Sequence, residues 1–153
     1  MEPDAQSTER EREAAVDAAL VRAETLRKGT QFAEAIRTLT EALDLGPRRA
    51  TIYYRLGNTY VDRNDLERAE QSYLKALDID PDYANARHNL AIVYKRQKRI
   101  DLFVKTSNEI RQRAMDQDLP SPLRKLSPRT RRYGFWALIF LLLFVLAYFS
   151  SRG

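Results

Sequence analysis

The sequence predicts an all-α chain of three stacked helix pairs, a Pro-rich basic linker and a single transmembrane helix. Residues of matching type recur at a fixed offset of 34 without a gap. Inside each period, short apolar stretches at helical spacing are separated by turn residues. Nineteen uncharged residues, 133–151, lie between Arg132 and Arg152.

The offset aligns Ala35, Ala69 and Phe103; Ala42, Ala76 and Ile110; Leu26, Tyr60 and Tyr94; and Ala23, Gly57 and Ala91. Pro47 and Pro81 close two of the periods. A repeat of this kind means stacked supersecondary units rather than one closed core, and three units are the usual minimum for a continuous core. The units are 16–49, 50–83 and 84–118, preceded by a charged extension over 1–15 that is helical from about residue 8, where Thr8 and Glu11 form a capping-box pattern.

In the middle unit, Ile52 to Val61 reads as one amphipathic helix, Asn64-Asp65 as a turn, and Leu66 to Ile79 as a second helix. Gly57 and Ala69 are small where the two helices approach, and Tyr53, Leu56, Tyr60, Tyr73 and Leu77 fill the space around them. The pattern Tyr53-x2-Leu56-Gly57-x2-Tyr60, then Ala69-x3-Tyr73, Ala76 and Pro81, resembles the tetratricopeptide repeat (TPR). Unit one departs from it at Arg22, opposite Leu56, and at Gly29, one place early. Unit three departs at Phe103 and Ser107. The resemblance covers about residues 16–117 and implies a TPR solenoid.

Residues 119–132 form the linker, since Pro120, Pro122 and Pro128 forbid a regular helix. Ser121 and Ser127 before two of these prolines read as turn chemistry. The apolar run 133–151 would span roughly 28 Å as a helix, close to the ~30 Å hydrocarbon thickness of a bilayer. Aromatic residues at both ends (Tyr133, Phe135 and Trp136; Tyr148 and Phe149) match interfacial belts. A buried core helix would need a partner around its whole circumference, which three helix pairs do not offer. Residues 152–153 form the tail.

Residues 1–118 hold 20 Lys/Arg against 21 Asp/Glu, so the repeat region is nearly neutral. The excess of positive charge lies in Arg124, Lys125, Arg129, Arg131 and Arg132, beside the apolar run. Such a cluster places the N-terminal domain on the cytoplasmic side and attracts anionic lipid. It does not make a nucleic-acid-binding face. The N-terminus is acidic and polar and predicts no secretory signal. Arg outnumbers Lys 20 to 6, which points to a GC-rich bacterial genome and an inner membrane. The mitochondrial outer membrane or the ER is the eukaryotic alternative.

No enzymatic chemistry is predicted. The chain has no Cys, and a lone His88 cannot make a zinc site. The five glycines are scattered and form no phosphate loop. Glu9, Glu11 and Glu13, alternating with Arg10 and Arg12, read as a solvated helix face. No cofactor, metal or small-molecule substrate is expected; the expected partners are a protein or peptide and the lipid bilayer.

The TPR resemblance implies a concave groove lined by the first helix of each pair. By register it would present Tyr54, Arg55, Asn58 and Asp62 from unit two, with Thr51 and Val61 beside them. Unit three would add Asn85, His88, Asn89, Ile92, Lys95 and Arg96. Asn58 and Asn89 match the two Asn positions of the family's chaperone-tail clamp, and Tyr54 stands at its first Lys position. Each Asn also reads as an ordinary surface polar residue. Used together they would grip a peptide backbone, each replaceable with little effect on stability. Arg55, Lys95 and Arg96 would favour an acidic segment or a free C-terminus. The function expected is a membrane-anchored adaptor; the alternative is a small structural or assembly subunit of a larger membrane complex.

Overall fold

The computed structural model describes residues 5–117, which form six helices in sequence. These are α1 (Ala5–Lys28), α2 (Phe32–Leu43), α3 (Arg49–Asp62), α4 (Leu66–Ile79), α5 (Ala84–Arg96) and α6 (Ile100–Gln117). The described residues are all-α and form three helix pairs in series, as the TPR resemblance implies. The linker, the apolar run and its basic flank (Arg124, Lys125, Arg129, Arg131 and Arg132) lie outside the described residues. Within them, no helix is long and apolar enough to cross a membrane. The packing below belongs to the compact unit that ends at Ile110.

The repeat shows most plainly in the turns inside each pair. Thr30, Asn64 and Lys98, 34 residues apart, all have left-handed backbone, with φ of 61°, 64° and 62°. The residue after each sends its N–H back across the turn: Gln31 to Leu26 O, Asp65 to Tyr60 O and Arg99 to Tyr94 O, at 2.9–3.0 Å. This is the Schellman closure that satisfies carbonyls left over at a helix end. In the middle pair, the Asp65 carboxylate also accepts the Arg68 N–H at 3.2 Å and caps α4. Gly29, one place before the turn residue, does not supply the left-handed conformation; Thr30 does. Thr8 lies inside α1, which begins at Ala5, so the capping-box pattern does not mark the helix start.

A β-branched residue in left-handed backbone is strained by roughly 1–2 kcal/mol. Thr30→Gly should therefore raise stability by ~0.5–1 kcal/mol, after subtracting the extra freedom glycine has when unfolded. The urea midpoint of a fragment covering residues 1–118 measures this. A lower midpoint would mean that the Thr30 side chain contributes more than its backbone strain costs.

Eight of the twelve positions in the 34-residue alignment are buried, and Leu26, Tyr60, Phe103 and Ile110 are half-buried. Ala35, Ala69, Ala42, Ala76, Ala23 and Ala91 are all buried, so the helices approach closely wherever the repeat demands a small residue. Val16, Ala23, Leu39, Ala42, Ile52 and Leu56 form one apolar cluster, and Ala69, Tyr73, Ala76, Ala86, Leu90, Val93 and Tyr94 another. Tyr53 and Tyr60 pack against both and make the core continuous. Leu102 and Phe103 bring α6 onto the second cluster. Arg22 is exposed, and α1 contributes Val16, Ala19, Leu20 and Ala23 to the first cluster instead. The buried Arg87 donates to the Pro81 carbonyl and so ties α5 to the turn after α4.

Candidate functional site

α1 touches α3, and α3 touches α5, so the first helices of the three pairs lie side by side. Between them is a cleft of ≈ 230 Å³ lined by Arg27, Asn58, Val61, Asp62, Tyr73, Asn89 and Ile92. Tyr73 reaches it from α4, on the second layer. Gly57 lets the ring pass directly beneath α3, and the phenol emerges at the floor of the cleft.

There the Tyr73 hydroxyl donates to Asn58 Oδ1 at 2.7 Å, and Asn89 Nδ2 donates to the same oxygen at 2.9 Å. Burial raises the Tyr73 pKa above the ordinary phenol value, with the Asn89 carboxamide working the other way. The hydroxyl therefore stays a donor at neutral pH. Asn58 Oδ1 thus has a structural task that the sequence does not reveal. Replacing Asn58 would leave a buried phenol short of an acceptor, at ~1–3 kcal/mol. The rest of the carboxamide pair, the Asn58 NH2 and the Asn89 oxygen, is the hydrogen-bonding capacity of the cleft.

The charges along the groove are paired with one another. Arg27 bonds Glu24 through Nη2 at 2.8 Å and through Nε at 3.1 Å, and also bonds Asp62. Arg55 Nη1 reaches the same Glu24 at 3.2 Å. The Arg27 hydrogen bond, helped by the charges of Arg27, Arg55 and Lys28, holds the Glu24 carboxyl below its usual range against the opposing effect of burial. Arg55 Nε is buried with no hydrogen-bond partner, and its guanidinium lies 6.0 Å from the Tyr54 ring centre.

The other residues expected in the groove divide between it and its surroundings. Tyr54 packs on Tyr73 and edge-on against Tyr83, with centroids 6.1 and 5.2 Å away, and so supports the cleft from beside it. Ile92 lines the cleft and is 42% exposed. Asn85 and His88 are exposed on α5 but do not line the cleft. Arg96 donates to Asn64 Oδ1 at 2.8 Å, at the turn before α4. Lys95 lies over the Phe103 ring of α6, 6.0 Å from its centre. Neither of these cations lines the cleft.

Sequence reasoning missed Glu24, Arg27 and the Tyr73 hydroxyl. The repeat itself carried the signal for the first two: Glu24 aligns with Asn58 and Ile92, and Arg27 with Val61 and Lys95. Nothing in the sequence reports that the Tyr73 phenol reaches the groove. Among the described residues, no group of three or more His, Asp or Glu is placed to hold a metal ion.

Two family models, described as tetratricopeptide repeat and TPR repeat, match residues 26–74 and 57–98. The peroxisomal targeting signal receptor of Kluyveromyces lactis is 37% identical over 62 residues, covering 40% of this chain and 11% of that protein. Heat shock protein STI1 of Saccharomyces cerevisiae is 31% identical over 68 residues, covering 44% of this chain and 12% of that protein. The chain thus spans about a tenth of the length of these relatives. Among solved structures, the TPR domain of Arabidopsis OM64 matches with a TM-score of 0.59 at 21% identity, over 65% of this chain and 82% of that one. MamA from Desulfovibrio magneticus RS-1, from residue 41 to its end, matches with a TM-score of 0.62 at 24% identity. That match covers 67% of this chain and 58% of the other. At these identities the structures establish the fold alone. The chain carries tetratricopeptide repeats over residues 26–98, on the fold of TPR domains.

Proposed function

We propose that this protein is a membrane-anchored adaptor whose TPR domain binds a partner protein or peptide at the cytoplasmic face. The observation that carries the binding half is the carboxamide pair at the cleft floor. Asn58 and Asn89 are locked in register by a hydrogen bond, yet keep further donors and an acceptor with which a peptide backbone could pair. Pre-ordering of this kind lowers the entropy lost when a ligand is bound. The relative from K. lactis, by its name a targeting signal receptor, is consistent with such a role. The anchoring half rests on the apolar run 133–151 and the basic residues before it.

Crosslinking in native membranes would supply a partner segment for titration. Asn89→Ala is the cleaner variant, because Asn58 also serves the fold through Tyr73. It should weaken the partner peptide by ~1–3 kcal/mol, since peptide groups would go unpaired in the complex, while the urea midpoint stays nearly unchanged. Equal affinity for wild type and variant would remove the groove from the account and favour the assembly-subunit role.

A further inference from the structure

The charge pairing around the cleft restricts what the proposed groove can accept. We propose that the cleft between α3 and α5 seats an uncharged, apolar side chain of an extended peptide and rejects acidic ones. This rests on the groove reading above and gives its ligand a chemistry.

The lining holds one cation and one anion, Arg27 and Asp62, bonded to each other. Glu24 bonds Arg27 from the other side and is shared with Arg55. An incoming carboxylate would have to displace one of these partners and would then lie beside two anions. The cations outside the lining are held away from it, Arg96 at Asn64 and Lys95 over Phe103. Lys28, 3.7 Å from Glu24, is 72% exposed and outside the lining. A basic ligand side chain would meet Arg27.

Two of the lining side chains, in contrast, are aliphatic. Val61 and Ile92 line the cleft from neighbouring units, and Ile92 leaves 42% of its surface in solvent. The ≈ 230 Å³ volume is below the ~300–1,000 Å³ of sites for free small molecules. It suits a single aliphatic side chain, with the peptide backbone left to the carboxamides.

The test is selection by the full chain in detergent from two random heptapeptide libraries, one C-terminally amidated and one with a free carboxylate. Wild type should enrich Leu, Ile, Val or Met at one position, equally from both libraries, with Asp and Glu depleted. Ile92→Asp replaces an exposed side chain and should lower that enrichment roughly tenfold or more, the scale of a lost hydrophobic pocket contact. Asp62→Asn releases Arg27 from one partner and should shift the selection toward Asp and Glu. Acidic peptides, or dependence on the free carboxylate, in the wild-type selection would overturn this inference and leave the groove reading standing. Selection that is indifferent to Ile92→Asp, or no selection at all, would overturn both.

Discussion

Replacing Gly57 with leucine in the fragment 1–118 is expected to lower its melting temperature substantially. A Cβ at position 57 would stand 2.6 Å from Tyr73 Cδ1 and 2.8 Å from Cζ, far inside van der Waals contact. The ring has nowhere to go. Tyr73 is 1% exposed, its hydroxyl is held by Asn58, and Tyr54 packs against it. Overpacking of this kind costs ~1–3 kcal/mol, and Leu should fall at the upper end. For a fragment of this size that is roughly 4 °C per kcal/mol. Gly57→Ala should do less harm, because alanine's better helix propensity returns up to ~1 kcal/mol. Thermal unfolding followed by circular dichroism separates the two. An unchanged melting temperature for the leucine variant would place Tyr73 elsewhere. The same substitution should also disturb the cleft, because the ring that Gly57 admits carries the hydroxyl that orders Asn58.

A larger effect is expected when the apolar run is removed. The full chain should remain with membranes through alkaline carbonate extraction, and truncation after Asp118 should release a soluble monomer. Residues 138–146 are nine consecutive Leu, Ile, Phe or Val residues, worth roughly 3–5 kcal/mol of insertion free energy on a translocon scale. No charged residue in 133–151 opposes it. The five bases before the run, against Arg152 after it, should keep the repeats on the cytoplasmic side. Protease added to the opposite face should therefore spare them. Release of the full chain by carbonate would overturn the anchor, and digestion of the repeats from the far side would overturn the topology.

Much of the fold was legible because its cues are local. Helix against turn is decided by the spacing of apolar residues over a dozen positions, and the 34-residue offset repeats that decision three times. Gly57 and Ala69 announced close approach by size alone, and both are buried at close contacts. Thr30 shows the limit. The chain places Gly29 beside the turn, but the repeat register puts the left-handed residue at 30, in line with Asn64 and Lys98. The geometry of the pair overrode the local preference.

By itself, the sequence determined the helices of the repeats and their register. The tertiary structure decided which of them hold one another. Arg55 with Glu24, Asn89 with Asn58, Arg96 with Asn64 and Arg27 with Asp62 are partners 31 to 35 residues apart. Each joins neighbouring units. A one-dimensional pattern fixes the face on which a long side chain stands but not where its charged end travels. That end finds its partner only when two helices, a whole repeat apart in the chain, are packed within hydrogen-bonding distance. In the groove that read as basic from its residue list, Arg27 and Arg55 are therefore paired with carboxylates, and the two carboxamides at the cleft lie beside Val61 and Ile92.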